Sequence, residues 1–321
     1  MIEIVRYTSE KKEIWNDFVK KSKNGIFMFD RNFMDYHADR FYDNSLMFFD
    51  DGELIAILPM SLHGNELRSH GGLTYGGFIT NEKMKQHKMN KCFELLKEYM
   101  KDNNISKLIY KVLPHIYHKQ PAEEDIYSLY KYNAKIYKVE PSTLVLLKNP
   151  LKMPKGRKAQ ISRAKRDGVT TEKSYDFEKF IRLENAVLSE HHNTTAVHTA
   201  PELILLQSRF PNNIELLVAK YNNEVIAGSL LFMYDNVIHT QYMAANDKAR
   251  EIGALDLLVK NIMDMYSDTN DFLDFGISSE NNGTFLNEGL ISQKEGFGGR
   301  TAVYQTWEIN IATFNGEENE L

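Results

Sequence analysis

The stretch FLDFGISSENNGTFLNEGLISQKEGFGGR, Phe272 to Arg300, carries four carboxylates, three of which, Asp274, Glu280 and Glu288, fall in or beside one polar loop. A strand over FLDF would place Glu280 and Asn282 beyond its C-terminal end. A helix over 284–297 would then bring Asn287, Glu288, Ile291 and Lys294 near one face or its edge. Carboxylates so gathered are candidate bases or ligands for an incoming amine. The plainer alternative for each is a helix cap or a surface charge. Asp274-Phe275-Gly276 also matches the magnesium-holding tripeptide of protein kinases. That reading fails: no H-R-D precedes it, no A-P-E follows it, and Gly71-Gly72 with Gly76-Gly77 lack the glycine-loop spacing.

Three further groups have the right residue types for chemistry. His239, Gln241 and Tyr242 share the strand-like run VIHTQYM. His239 is a candidate base, against the commoner fate of a hydrogen-bonded core histidine; Tyr242 either reaches a cleft or packs. SEHHNTTAVHT supplies His191, His192 and His198. Adjacent histidines diverge on a helix and no carboxylate sits at ligand spacing, so no metal is expected, and a loop or polar substrate contacts are the readings. The run KMPKGRKAQISRAKR, Lys152–Arg166, has seven Lys or Arg and no acid. With Ile161 and Ala164 facing inward, Lys158, Lys165 and Arg166 share one helical stripe. It is either a solvated face or a local site for phosphates of a nucleotide-sugar, a lipid-linked precursor or an RNA acceptor stem.

The elements that must hold these groups occur twice. LMFFDDGELIAILPMSL, Leu46–Leu62, reads as a hairpin turning at Asp51-Gly52. A glycine-rich strand, an amphipathic helix over 82–102 and the strand KLIYKV follow. ELLVAKYNNEVIAGSLLFMY, Glu215–Tyr234, is again strand, Asn-rich turn, strand; VIHTQYMAA, a helix over 252–266 and FLDFGI complete the order. Glu53–Ala56 (ELIA) aligns with Glu224–Ala227 (EVIA). A period this long is not a solenoid repeat. It indicates an α/β fold with a mixed sheet, present in two tandem copies related by internal duplication. Pro150 and Pro154 punctuate the join. The expected domains are 1–150 and 151–313, with a flexible tail over 314–321.

This unit resembles the GNAT acyltransferase fold. The tandem arrangement resembles the Fem-type (FemAB-like) peptidyltransferases and the related acetyltransferase-like family of envelope glycan gene clusters. The resemblance covers nearly the whole chain. Its most specific parts are GRKAQISRAKRDGV (Gly156–Val169), GALDLL (Gly253–Leu258) and DFGISSENNGTFLNEGLISQKEGFGG (Asp274–Gly299). It implies a splay between two central strands that admits the acyl group, with backbone N–H groups polarising the carbonyl. It also implies that the next loop, AANDKAREIGALDLL, holds the donor's pyrophosphate at a helix N-terminus. Arg250 and Gly253, with Ala254, fit that motif; Leu255 replaces its last small residue, and the alternative is that these residues simply start a helix. ITNEKMKQHK, the first copy's counterpart, has no such motif, so that copy is expected to be catalytically silent and to shape the acceptor cleft. Fem-type enzymes carry an aromatic-Lys-x-x-Phe-Gly element near the acyl donor. Lys294, Phe297 and Gly298 match it, and Gln293 departs from the aromatic. Lys294 would there neutralise charge on the carbonyl oxygen or the leaving group. Tyr304 is a candidate proton donor to a leaving thiolate.

Composition sets outer bounds. The chain has 321 residues and a net charge of −5, so there is no overall drive toward DNA or an anionic membrane. The single cysteine excludes an intramolecular disulfide and suits a reducing cytoplasm. No apolar run is long enough to span a membrane, and MIEIVRYTSEKKEIW is not a secretory signal. The expectation is a cytoplasmic acyltransferase. Its donor would be acyl-CoA, such as acetyl-CoA, or aminoacyl-tRNA through its acceptor stem. Its acceptor would be an amine of a small-molecule or lipid-linked amino-sugar or peptide precursor of the cell envelope, peptidoglycan or polysaccharide. The alternative is a non-catalytic tandem GNAT-fold protein that binds a nucleotide-sugar or another phosphorylated ligand.

Overall fold

The computed structural model describes residues 1–69, 71–192 and 194–314, with the side chains of His191 and His192 outside the described set. The chain divides into two compact units, Met1–Glu140 with Val303–Leu321, and Pro141–Ala302.

The first unit runs β1 (Ile2–Arg6), α1 (Lys12–Lys21), α2 (Arg31–Met34), β2 (Tyr42–Asp43), β3 (Leu46–Asp50), β4 (Glu53–Leu58), β5 (Ser61–His63), β6 (Glu66–Arg68), β7 (Ile79–Thr80), α3 (Gln86–Asp102), β8 (Lys107–Lys111), α4 (Glu124–Lys131) and the start of β9 (Lys135–Leu146). The second continues β9 and adds α5 (Lys155–Arg166), β10 (Thr170–Ser174), α6 (Phe177–His192), α7 (Ala200–Arg209), β11 (Ile214–Tyr221), β12 (Glu224–Met233), β13 (Val237–Ala245), α8 (Asp247–Ile252), α9 (Ala254–Tyr266) and β14 (Phe272–Ile277). It closes with β15 (Ser279–Glu280), β16 (Phe285–Leu286), α10 (Glu288–Glu295) and the start of β17 (Arg300–Asn310).

The duplication holds at the level of single backbone features. Asp51 and Gly52, and Asn222 and Asn223, all have positive φ, as two-residue hairpins require. In the β3–β4 hairpin the register slips at Ile55, which lies between the pairs Phe49–Leu54 and Phe48–Ala56. In the β11–β12 hairpin it slips at Ile226, between Lys220–Val225 and Ala219–Ala227. Ile55 and Ile226 occupy the same place in ELIA and EVIA, so the two copies share a β-bulge as well as a turn.

Within the first unit, β1, β3, β4 and β7 form one sheet, and β8 joins β6 and the later residues of β17. Pairing of Thr306–Asn310 with Lys107–Lys111 puts Trp307 and Ile309 into that unit's core. This is why the compact division falls at 140 and 302, whereas the sequence reading divides after 150 and leaves the last strand with the second half. Phe314, assigned from sequence to a flexible tail, is fully buried in the same core; residues 315–321 lie outside the described set.

The second unit's sheet has the order β10-β11-β12-β13-β14-β9, antiparallel except for β13–β14. Ala227, Leu231, Met233, Ile238 and Ala245 bury one face of it together with Leu257, Leu258 and Ile262 of α9 and Ile161 of α5. The opposite face meets α6: a Cβ added to Gly228 would lie 2.7 Å from a Phe180 ring carbon.

One expected helix is corrected and the start of another moves. The helix over 284–297 is instead the β15–β16 hairpin followed by the shorter α10. Asn281 and Asn282 adopt left-handed φ and turn the chain, and the Asn287 Oδ1 accepts the Leu290 N–H at 2.9 Å, which fixes the helix start there. The helix over 252–266 is present as α9, which starts two residues later because Gly253, whose φ is +75°, separates it from α8.

Candidate functional site

Strands β13 and β14 pair at only three positions, Val237–Phe272, Ile238–Leu273 and His239–Asp274. Beyond them β13 continues to Ala245 with no β14 partner. The reason lies in β14. Gly276 has φ +72°, and β14 slips register against β9 between Asp274 and Ile277, which turns the strand aside. The sheet therefore opens beside residues 240–245, and the main-chain groups of β13 on that side have no ladder partner.

A second bulge decides which side chains line one face of this opening. Leu231 pairs with Thr240 but Leu230 pairs with Tyr242, leaving Gln241 as the extra residue. Without it, alternation would put His239 and Tyr242 on opposite faces. With it, His239, opposite Phe232, and Tyr242, opposite Leu230, both lie on the α6 face.

Asp274 is fully buried on that face. Its Oδ1 accepts from the Ser142 hydroxyl at 2.6 Å and from the Gly276 N–H at 2.8 Å, and its Oδ2 lies 2.9 Å from His239 Nδ1. A carboxylate at Nδ1 orients the ring and makes Nε2 the acceptor of the neutral imidazole. Lys294 is also buried, and its ammonium donates to the Gly276 carbonyl at 3.0 Å and the Ile277 carbonyl at 2.7 Å. Burial pushes its pKa down to about 8, against the upward pull of Asp274. Asp274, His239 and Lys294 thus converge at the end of β14. Sequence reasoning did not name Ser142, which reaches this cluster only because β9 pairs with β14.

Glu184 was also missed. It is 5% exposed, and its Oε2 is buried without a hydrogen-bond partner. Burial pushes its carboxyl up to about 7. It sits on α6 in the stripe Phe177, Phe180, Ile181, Glu184, at a position where helical spacing calls for an apolar residue. That mismatch was the available signal. The charge of Glu184 acts on Tyr242, whose hydroxyl lies 2.7 Å from His198 Nδ1 and also interacts with the Gln241 side chain. Gln241 Oε1 is buried without a partner.

The Arg250 loop is held by its own neighbours. The Asn246 Oδ1 accepts the Ala249 N–H at 2.9 Å, and Arg250 pairs with Asp247 at 3.1 Å. At Gly253 a Cβ would stand 2.7 Å from the Gln160 carbonyl oxygen, so this glycine lets α5 and α9 approach; Ala254 is buried at the start of α9. The same packing sets α5 beside the loop, with Arg163 3.6 Å from Glu251. Arg157 turns inward to Asp256, the Gln293 carbonyl and the Phe297 ring. Lys158, Lys165 and Arg166 stand exposed, in no ion pair among the described residues.

Glu280, Asn282 and Glu288 are exposed and apart from the buried cluster. Glu280 accepts from the Asn287 amide at 2.7 Å, Asn282 shapes the hairpin turn, and Glu288 occupies the first turn of α10. Tyr304 belongs to the first unit, where its hydroxyl lies 3.4 Å from that of Tyr75. His191 and His192 have side chains outside the described residues. Among the described residues, no group of His, Cys, Asp and Glu could hold a metal ion, and no helix is long and apolar enough to cross a membrane.

No family model matches the sequence, and no curated protein does. Solved structures do match. The crystal structure of FemX aligns with a TM-score of 0.64 at 11% identity, over 94% of this chain and 96% of that one. L-PGS from Bacillus licheniformis aligns at 0.59 and 15% identity, over 98% and 94%. A tandem GNAT protein from the clavulanic acid biosynthesis pathway aligns at 0.53 and 10% identity, over 97% and 99%. At such identities the likeness is one of fold: this chain has the tandem GNAT-like, FemAB-related fold.

Proposed function

We propose that the protein is an acyltransferase, moving an acyl or aminoacyl group onto an amine of a cell-envelope precursor in the opening between β13 and β14. The observation that carries this reading is that opening, with the buried Asp274–His239 pair on its wall and Lys294 at its end. Acyl transfer needs donors for the carbonyl oxygen, a group that handles the amine's proton and a seat for the activated donor. Unpaired N–H groups of residues 240–245 are suited to the first task. His239 Nε2, oriented through Nδ1 by Asp274, is suited to the second. Lys294 has spent two of its three donors on backbone carbonyls and keeps one for developing negative charge. A phosphate-bearing donor, acyl-CoA first and aminoacyl-tRNA second, would lie against Arg250 and the exposed cations Lys158, Lys165 and Arg166.

A thermal-shift panel of acetyl-CoA, longer acyl-CoAs and nucleotide-sugars tests the reading, because a ligand that binds only the folded state stabilises it by mass action. Stabilisation by an acyl-CoA, followed by acyl transfer to an amino-sugar or peptide amine, is expected. A response to nucleotide-sugars alone would replace the transferase with the binding protein.

A further inference from the structure

Glu184 and Gln241 pose one shared problem. Each keeps a side-chain oxygen buried with no donor: Glu184 Oε2 and Gln241 Oε1. Buried acceptors are nearly always paired, and one left unpaired costs the full penalty of its desolvation. The nearby polar groups are committed to each other. The Tyr242 hydroxyl holds His198 Nδ1 at 2.7 Å and accepts the His198 N–H at 3.3 Å. No lysine or arginine forms an ion pair with Glu184 among the described residues. Glu184 lies on the buried stripe of α6, which packs on β13, and Gln241 is the bulged residue of β13; both act on Tyr242, Gln241 through its side chain and Glu184 through its charge. Tyr242 lies on the α6 face, within the stretch of β13 that has lost its partner.

With Glu184 ionised and the Gln241 amide nitrogen turned to Tyr242, two buried acceptors remain, and they call for a ligand group with donors and no acceptors. Among common groups that is an ammonium, with three N–H bonds and a positive charge for the carboxylate. We propose that Glu184 and Gln241 form a subsite for a primary ammonium group of the substrate, the amine that is to be acylated. The subsite rests on the transferase reading for the name of its occupant, but not for its chemistry. A bare amine should enter it without any acyl donor.

The probe is n-propylammonium, with n-propanol as the uncharged match of similar size. Binding is followed by NMR of protein labelled with ¹³C at the glutamate carboxyls. Propylammonium should saturably shift one carboxyl resonance that is missing in Glu184→Gln, and propanol should not. Glu184→Gln should weaken the probe about tenfold or more, and Gln241→Leu by a smaller factor, since it keeps the charge and loses one acceptor. Glu184→Leu restores the apolar stripe, so it gives a folded reference if the glutamine variant is unstable. Equal binding to Glu184→Leu and wild type, or no saturable response to the ammonium, would overturn the subsite. The two readings fail separately. Ammonium binding without any acyl transfer would keep the subsite and remove the transferase. Transfer with an unchanged KM for the amine in Glu184→Leu would keep the transferase and remove the subsite.

Discussion

Glu184 is a carboxyl at a position its helix reserves for a hydrophobe, and this has a consequence for pH. Burial moves it from an ordinary value of 4.5 up to about 7. The folded protein therefore binds one more proton than the unfolded chain between those values. The stabilisation is complete below about pH 4.5 and is lost as pH rises through 7. At 1.36 kcal/mol per unit the loss is at most about 3 kcal/mol. Chemical denaturation from pH 4 to 8 should give Glu184→Gln a flatter profile than wild type, with the variant gaining relative stability across that window. Parallel profiles would mean that the carboxyl is solvated or paired.

Among the elements, the α8–α9 junction separates two roles for one glycine. The sequence motif makes Gly253 part of a phosphate loop, while the packing makes it the point where α5 meets α9. Alanine there must hold φ near +75° and displace the Gln160 carbonyl from 2.7 Å. Gly253→Ala should cost roughly 1–3 kcal/mol and lower the melting temperature by several degrees. An unchanged melting temperature with lost acyl-CoA response would return the glycine to the donor loop. The basic run shows the same division. Arg157 anchors α5 to α9 and α10, and only the outer cations are left for a ligand.

For the whole molecule, duplication preserved the hairpins and their bulges but not the buried polar cluster. Matching β8 to β14 by their buried Leu and aromatic residues sets Ile109 against Asp274. The first unit's counterpart of β13 is the two-residue β7. Chemistry should then depend on the second unit alone. Lys294→Met should lower kcat and kcat/KM together by about a hundredfold, with little change in KM, if its charge acts in the transition state. Ile109→Val should cost about 0.5–1.5 kcal/mol of stability and leave turnover intact. Near-normal kcat in Lys294→Met with a slightly lowered melting temperature would leave that lysine as a tether between α10 and β14.

What the sequence determined by itself is what local physics controls. Asp51-Gly52 and Asn222-Asn223 favour left-handed turns wherever they occur, so both hairpins, and through them the duplication and fold class, were readable. Helical spacing was enough to identify α3 and the inward side of α5. The site was readable only as residue types. Asp274 and Lys294 looked like one polar loop with Glu280 and Glu288, yet the first two are buried and the others exposed. Pairing with β9 buries Asp274, and the Gly276 turn supplies the carbonyls that hold Lys294. The bulge at Gln241 brings Tyr242 to the face of His239, and the packing of α6 puts Glu184 over that face. Only the tertiary structure decided these, because register and strand separation depend on partners far along the chain, and shifting a register by one residue moves every later side chain to the other face.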